Sequence, residues 1–273
     1  MREPLVTRSQ LAHDARALGV KPGGVLMLHA SVRSVGWVVG GPDVVLDALV
    51  DVLGPDGTLV MYVGWPDGTY EMAGWTPEQQ LAYVQECPAF DPLTSRATVE
   101  WSVLTEFLRT RPGALRSDHP EASVAAVGAK AAWLTADHPL QYGYGEGSPL
   151  AKVVEARGQV LLLGSPLDSV TLIHHAEGLA RVANKRVVRY RQPVLRDGQR
   201  QWVDIEEHDT NCLVDGWDGD EDFFALITRA YLDAGLGRTG TIGAATSHLL
   251  DAATLTPFAV DWMERHLPGG ALR

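Results

Sequence analysis

The chain has 273 residues, of which 45% are hydrophobic, and its mean hydropathy lies near zero, as in ordinary globular proteins that fold around their own core. Its 23 basic and 34 acidic residues give a net charge of −11, which disfavours nucleic acids and anionic membranes as partners and favours cations. Two cysteines and no apolar run typical of a signal peptide or a membrane span predict a cytoplasmic protein without a disulfide framework.

The first quarter of the chain predicts one helix followed by a strand–helix–strand unit. Thr7 and Gln10 have the spacing of an N-terminal capping box, and Gly19 has the character of a helix stop. Short apolar runs at 25–28 and 58–63 predict buried strands, and an apolar helix at 43–53 separates them. A crossover of this kind predicts parallel pairing of the two strands.

The rest of the chain continues as a mixed α/β pattern. The segment 64–98 is irregular apart from a short helix from Pro77, and a connection of this length usually shapes a pocket or a lid. We predict further helices at 99–110, 148–156, 168–183, 220–234 and 256–267, strands at 122–127 and 160–163, and a hairpin formed by 189–195 and 201–205. With no linker or repeat, residues 1–273 are predicted to form a single α/β domain.

Several common sequence motifs occur without the surrounding elements or ligands that their function requires. The Gly-x-Gly-x-x-Gly match at 235–240 follows a predicted helix, whereas a dinucleotide-binding loop follows a strand. The acidic run 218–222 begins like a calcium loop but lacks the later carboxylate ligand. His208 and Cys212 have no second pair of ligands, so we predict no metal site.

Charge is distributed most unevenly in the segment 181–222. Seven arginines and lysines in 181–200 are followed by nine carboxylates in 204–222 with no basic residue among them. One interpretation is two solvated faces of a hairpin and a loop. The other is a cation-binding cluster, because the polar residues crowd the end of a predicted strand, where α/β proteins place ligands. These residues are Glu206, Glu207, His208, Asp209 and Asn211.

Two histidines are candidates for acid–base chemistry. His174 and Glu177 are spaced i, i+3 on the predicted helix and face the same way, whereas His175 points aside. His29 ends the first strand and precedes 31–36, whose hydroxyls, guanidinium and backbone N–H groups could hold a pyrophosphate. Each histidine has an alternative interpretation as a hydrogen-bonded core residue, and 31–36 as an ordinary polar loop.

Taken together, a series of ordered sequence blocks resembles the aminoglycoside 3-N-acetyltransferases, the antibiotic N-acetyltransferase family that is distinct from the GNAT fold. The resemblance covers nearly the whole chain. Its blocks are PGGVLMLHASVRSVG (22–36), LGPDGTLVM (53–61), FDPLTSRA (90–97), RSDHPEASVAAVG (116–128), YGYGEGSPL (142–150), GQVLLLGSPLDSVTLIHHAE (158–177) and VDIEEHDTN (203–211).

The resemblance implies an acetyl-CoA-dependent acyltransferase that acetylates the 3-amino group of aminoglycoside antibiotics and confers resistance to them. It implies a three-layer α/β/α fold with a central mixed, mostly parallel sheet and an appended antiparallel hairpin. It places the catalytic histidine at His174 and an acidic pair at Glu207 and Asp209, expected to orient that histidine and to hold substrate ammonium groups. His29 is expected to shape the coenzyme A loop or to touch the thioester.

The remaining binding residues follow from the same resemblance and from the clusters above. Residues expected to contact acetyl-CoA are His29, Ala30, Ser31, Val32, Arg33, Ser34, Val35 and Thr171. Residues expected to contact the antibiotic are Asp67, Tyr144, Glu146, Glu177 and Asn211. The reaction needs no metal, and the unit is expected to be a monomer or a homodimer.

The chemistry of an amine nucleophile supports a histidine base, because aminoglycoside amines are mostly protonated near neutral pH and imidazole accepts protons there. Backbone amides near Ser31 or the Thr171 hydroxyl are candidate donors to the developing oxyanion. Lacking a recognisable nucleophile motif, the chain is expected to transfer acetyl directly in a ternary complex. Two alternatives stay open: the same chemistry on another biosynthetic amine, and a non-catalytic module that sequesters cations.

Overall fold

The elements of the fold are those of an α/β protein. The computed structural model describes residues 5–66, 72–217, 219 and 221–270. Its helices are α1 (Arg8–Leu18), α2 (Val32–Val35), α3 (Pro42–Leu53), α4 (Pro77–Glu86), α5 (Leu104–Arg109), α6 (Ala131–Thr135), α7 (Pro149–Glu155), α8 (Leu172–Leu179), α9 (Phe223–Asp233) and α10 (Ala252–His266). Its strands are β1 (Leu5–Val6), β2 (Val25–Ala30), β3 (Trp37–Val38), β4 (Thr58–Tyr62), β5 (Leu115–Arg116), β6 (Val124–Gly128), β7 (Gln159–Leu163), β8 (Val187–Arg196), β9 (Gln199–His208), β10 (Arg238–Ile242) and β11 (Ala245–Asp251).

A seven-stranded mixed sheet lies at the centre, in the order β10-β11-β7-β2-β4-β6-β5. The predicted parallel pairing of β2 with β4 is confirmed, and β7 joins β2 on its other side, also in parallel. The expectation of a mostly parallel sheet is wrong, because the four outer pairings are antiparallel. The separate antiparallel hairpin is confirmed as the ten-residue ladder of β8 and β9.

The two faces of the central sheet are covered by different helices, which gives the expected three layers. Strand β2 shows why: Leu26 and Leu28 pack into the core that contains the α1 and α3 residues, while Val25 and Met27 pack into the core that contains residues of α8 and α10. A strand buried on both faces must be apolar at every position, which is the continuous run visible in the sequence.

Local signals account for the ends of several helices. The Thr7 hydroxyl accepts a hydrogen bond from the Gln10 N–H at the start of α1, and Gly19, at φ +110°, ends it. Thr76 and Gln79 form a full capping box at the start of α4, the short helix predicted from Pro77. Among the described residues, no helix is both long enough and apolar enough to cross a bilayer.

Three segments differ from the sequence prediction. The predicted helix 168–183 is a 3-10 turn at Leu167–Ser169 and the eight-residue α8, since the chain beyond Ala180 is extended and its next N–H bonds the Glu264 carboxylate. Helix α5 occupies only the second half of 99–110. Strands β10 and β11 were not predicted: pairing with β7 at the sheet edge organises this glycine-containing stretch.

The long segment after β4 is held to the sheet by Arg116, which is largely buried. Its guanidinium donates to the carbonyl oxygens of Val63 and Ser95 at 2.6 and 2.7 Å and to the Ser123 hydroxyl at 3.0 Å, and it lies 4.8 Å from the Phe90 ring centre. Burial lowers the pKa of this guanidinium to about 10, which leaves it charged at neutral pH. The irregular segment is therefore fastened beside the ends of β4 and β6.

Replacing Arg116 with Met should lower the free energy of unfolding by about 2–5 kcal/mol, because buried carbonyl oxygens and a hydroxyl lose their donor. Urea denaturation monitored by tryptophan fluorescence measures this loss. The matched control is Arg96→Met, which removes an arginine whose side chain is 76% exposed and leaves Glu106 paired with Arg109. We expect a change within about 0.5 kcal/mol for the control, and equal effects of the two substitutions would contradict the fastening role of Arg116.

Candidate active site

A cavity of about 490 Å³ opens at the carboxyl ends of the parallel strands. Ala30 at the end of β2, Tyr62 at the end of β4 and Ser165 just after β7 all line it. Ligands of α/β proteins bind at this edge, since the connections there leave a crevice that side chains from several strands can reach. The cavity is therefore the candidate active site.

His174 on α8 lines this cavity and is bonded to a buried carboxylate. Its Nδ1 lies 2.7 Å from Oε2 of Glu177, whose side chain is only 2% exposed. A carboxylate can only accept, so Nδ1 carries the proton and Nε2 keeps its lone pair. Burial raises the pKa of the Glu177 carboxyl above its ordinary value, and the neighbouring His174 opposes that rise. Of the three candidate carboxylates, the structure places Glu177 in contact with His174.

Aromatic rings fix the position of the His174 imidazole. The rings of Tyr144 and Phe224 lie on it with centroid distances of 5.0 and 4.7 Å. The Tyr144 hydroxyl donates to the Tyr62 hydroxyl at 3.3 Å, which in turn donates to the Glu121 carbonyl oxygen at 3.0 Å. Packing on two rings and a bonded Nδ1 leave the imidazole little rotational freedom.

His175 has a different environment from its neighbour. It is buried, and its Nδ1 donates to the Tyr144 carbonyl oxygen at 3.0 Å. This contact ties α8 to the segment that packs on His174. The core interpretation therefore holds for His175, and the i, i+3 pairing predicted from the sequence holds for His174 and Glu177.

Glu207 is a second buried carboxylate beside the site. It is 3% exposed, its Oε1 accepts from the His208 N–H at 2.9 Å, and its Oε2 makes no hydrogen bond of good geometry. Burial raises the pKa of Glu207 to about 7, although backbone N–H groups and the nearby His174 oppose the rise. Near neutral pH Glu207 therefore exists in both protonation states.

Asp209 contacts backbone N–H groups and an arginine, and His174 is not among these partners. Its Oδ1 accepts from the backbone N–H groups of Asn211 and Cys212, and its Oδ2 lies 3.1 Å from Nε of Arg186. These bonds shape the turn 209–213, whose residues from Thr210 to Leu213 line the cavity. Asp209 thus organises a wall of the site.

The segment predicted to contact coenzyme A lies at the end of β2. His29 and Ala30 line the cavity, and the short helix α2 follows with the Arg33 and Ser34 side chains exposed and Ser31 and Val32 partly exposed. Val35 is completely buried in the core, so the prediction that its side chain contacts coenzyme A is wrong. The Ser31 N–H donates to the Leu163 carbonyl oxygen at 2.9 Å and is not available as an oxyanion donor.

His29 and Thr171 are the two polar side chains that line the cavity among the residues predicted to contact acetyl-CoA. Burial lowers the pKa of His29 to about 4, and its Nε2 is buried without a hydrogen-bond partner. The Thr171 hydroxyl makes no capping bond to α8. Both therefore retain hydrogen-bonding capacity for a bound molecule.

The predicted antibiotic contacts are distributed unevenly. Tyr144 and Asn211 line the cavity, while Glu146 is exposed outside the described cavity wall. Asp67 lies outside the described residues. The sequence analysis missed cavity-lining aromatic and acidic residues, among them Tyr62, Trp101, Glu121, Asp168, Asp222 and Phe224. Tyr62 had a signal, its place at the end of a buried strand, whereas the tertiary fold alone brings the others to the cavity.

Two cross-strand ion pairs of the hairpin account for part of the uneven charge of 181–222. Arg189 faces Glu206 across the ladder with Nε 2.6 Å from Oε2, and Arg191 faces Asp204 with Nε 3.2 Å from Oδ1. Cross-strand ion pairs explain why basic residues on one strand are followed by acidic residues on the next. For these residues the solvated-face interpretation is the better one.

Two histidines whose rings are in contact position the segment that carries Tyr144. The His119 and His138 rings lie 4.8 Å apart, and His138 Nε2 donates to the Gly143 carbonyl oxygen at 2.7 Å. His119 Nδ1 accepts from the backbone N–H of Ala122 at 2.8 Å. A Cβ on Gly143 would lie 2.6 Å from His119 Nε2, so this close approach requires glycine.

Within the described residues, no group of three or more His, Cys, Asp and Glu side chains is arranged to hold a metal ion.

The sequence-family model of aminoglycoside 3-N-acetyltransferases matches residues 27–264. The chain belongs to this family. It is 50% identical over 258 residues to aminoglycoside N(3)-acetyltransferase III of Pseudomonas aeruginosa, covering 94% of this chain and 93% of that one. It is 47% identical to aminoglycoside N(3)-acetyltransferase VII of Streptomyces paromomycinus, covering 97% and 96% of the two chains.

Solved structures of aminoglycoside acetyltransferases share the fold. AAC(3)-Xa superposes with a TM-score of 0.93 at 46% identity, covering 97% of this chain and 94% of that chain. AAC-IIIb in a binary complex with CoASH superposes with a TM-score of 0.91 at 48% identity, covering 98% and 100%. The resemblance, the fold class and the assignment as an acyltransferase made from the sequence are thereby confirmed.

The buried histidines of this acetyltransferase predict acid sensitivity. Burial lowers the pKa of His29, His119 and His138 to about 4, 3 and 4. The unfolded chain, with histidine pKa values near 6.5, binds protons that the folded state excludes. The free energy of unfolding therefore falls as the pH falls from about 6.5 to 4, by up to ~1.4 kcal/mol per pH unit for each histidine.

Urea denaturation at pH 6.5, 5.5 and 4.5 measures this slope in the parent and in His138→Gln. The substitution should reduce the slope of the free energy of unfolding against pH by the contribution of about one proton, up to ~1.4 kcal/mol per pH unit. Glu207, whose pKa is raised to about 7, acts in the opposite direction over the same range, so the difference between the variants isolates the histidine. Identical slopes would contradict a neutral, buried His138.

Proposed function

We propose that this acyltransferase moves the acetyl group of acetyl-CoA to the 3-amino group of an aminoglycoside, with His174 as general base, and thereby confers resistance. The observation that carries the proposal is the bond from His174 Nδ1 to the buried carboxylate of Glu177 at the wall of the cavity. This bond leaves Nε2 of a cavity-lining histidine free to accept a proton from the substrate amine.

The transfer needs one proton acceptor and one set of oxyanion donors. His174 Nε2 takes the proton as the amine nitrogen forms its bond to the thioester carbonyl carbon, and Glu177 stabilises the imidazolium. The carbon–sulfur bond then breaks, and the imidazolium returns the proton to the departing sulfur. We assign the Thr171 hydroxyl and the neutral His29 ring as donors to the carbonyl oxygen, since both line the cavity.

The two substrates are assigned to different walls. The end of β2 with His29 and Ala30, continued by the hydroxyls of Ser31 and Ser34 and the guanidinium of Arg33, suits the polar and phosphate groups of coenzyme A. A polycationic antibiotic suits the acidic wall, where Glu121, Asp168 and Asp222 line the cavity and Glu207 lies beside it. We propose direct transfer in a ternary complex, because within the described residues no serine, threonine or cysteine side chain is hydrogen-bonded to His174.

Release of free thiol from acetyl-CoA, measured with gentamicin, kanamycin, apramycin and simple polyamines, tests the function. We expect thiol release with aminoglycosides that carry a free 3-amino group, and NMR of the product should show acetylation at that nitrogen. Faster turnover of a simple polyamine would favour another biosynthetic amine as substrate. Binding of aminoglycoside without thiol release would instead favour the sequestering module.

Replacing His174 with Ala should lower kcat by ~10²–10⁴-fold, the typical effect of a lost general base, with little change in affinity for acetyl-CoA. Glu177→Gln should also lower kcat, because an amide cannot stabilise the imidazolium by charge. The control is His175→Gln on the same helix, expected to reduce thermal stability more than kcat, since the buried His175 ring bonds to the backbone of the Tyr144 segment. Steady-state kinetics that give equal losses for His174 and His175, or none for His174, would overturn the assignment of the base.

A further inference from the structure

Lys185 lies at the end of the helix that carries His174 and Glu177. It occupies the connection between α8 and β8, and its half-buried Nζ donates to the Gly178 carbonyl oxygen at 3.1 Å. Gly178 directly follows Glu177 in the last turn of α8. The ammonium therefore interacts with the negative end of the helix dipole and lies close to the buried carboxylate.

The charges around Glu177 come from four parts of the fold. His174 contacts it from the same helix, Asp222 before α9 repels it, and Lys185 attracts it. Glu264 on α10 acts on Lys185 in turn, and burial opposes the charge of that lysine. Among the residues that the structure describes, Lys185 is thus a cation outside the His174–Glu177 pair that favours the ionised form of Glu177.

We propose that Lys185 is a positioning residue of the acyl transfer, whose ammonium holds the last turn of α8 and keeps Glu177 ionised. The inference rests on the proposed role of His174. It goes further, because it makes a residue outside the cavity wall responsible for the protonation state of the His174–Glu177 pair.

The tautomer of His174 shows why the charge on Glu177 matters. An ionised Glu177 accepts a proton from Nδ1, which leaves Nε2 free to accept the substrate proton. A protonated Glu177 would donate to Nδ1, and a neutral imidazole would then carry its hydrogen on Nε2. That tautomer cannot act as the base.

Lys185→Gln separates the two contributions of the lysine, because an amide still donates to the Gly178 oxygen but carries no charge. Lys185→Arg keeps both the donor and the charge. The matched control is Lys152→Gln, since Lys152 also donates from Nζ to a backbone carbonyl, that of Ala136 after α6, on a different part of the fold. Three quantities are measured for each variant: Tm, the pH profile of kcat, and the titration of the Glu177 carboxyl by NMR after ¹³C-glutamate labelling.

For Lys185→Gln we expect the acid limb of kcat and the titration of the Glu177 carboxyl to move to higher pH together. The shift should be about half to one pH unit, as expected for loss of a neighbouring unit charge at an effective dielectric constant of about 20 or more. On the acid limb this lowers kcat by ~3–10-fold, while kcat at high pH stays near the parent value. Lys185→Arg and Lys152→Gln should match the parent in both profiles.

A lower Tm with an unchanged Glu177 titration would overturn the proposal, since Lys185 would then act only as a helix cap. Loss of kcat by the same factor at every pH would overturn it as well. The NMR titration does not depend on catalysis, so it tests the role of Lys185 separately from the role of His174. Parent-like turnover of His174→Ala would defeat the proposed function, whereas an unmoved Glu177 titration in Lys185→Gln would defeat the role of Lys185 alone.

Discussion

The hydrogen bond between His174 and the buried Glu177 is the interaction on which the site depends. A carboxylate removed from water is costly unless it is paired, and here an imidazole pairs with it while Lys185 and Asp222 set the surrounding charge. The pair therefore has to be held from several directions. The rings of Tyr144 and Phe224 pack against the imidazole at tilted angles, and Lys185 donates to a carbonyl oxygen in the last turn of the helix.

Hydrogen-bonded polar side chains join the distant segments that surround this pair. Arg116 ties the long segment after β4 to the sheet, and His119 with His138 fixes the turn that carries Tyr144. Arg186, bonded to Asp209 and Asp215, holds the turn that forms another wall. Arg116 and His138 donate to backbone carbonyl oxygens, and Arg186 joins the buried Asp209 to the exposed Asp215. Precision at the cavity thus comes from hydrogen-bonded side chains on connections, supported by a rigid sheet.

Charge has two different uses in this protein. On the hairpin, acidic and basic residues neutralise one another across β8 and β9, at positions exposed to water where such pairs contribute little stability. Beside the cavity, Glu207 is buried, and burial raises its pKa to about 7. Glu121, Asp168 and Asp222 line the cavity itself, where carboxylates suit recognition of a polycationic substrate. Net charge alone therefore says less about the substrate than the location of a few carboxylates does.

The sequence by itself determined the parts of the protein that depend on local order and composition. The capped helix α1, the apolar strands β2, β4 and β7, the hairpin, and the i, i+3 spacing of His174 and Glu177 all follow from neighbouring residues, and the motif blocks identified the family. Tertiary structure decided what depends on contacts distant in sequence. It placed β10 and β11 at the sheet edge, ended α8 early, buried Val35, and put Asp209 on Arg186 instead of on the histidine. It also gave Glu207 and Asp209 other partners than His174, because contacts between segments far apart in sequence are decided by packing, which no local pattern encodes.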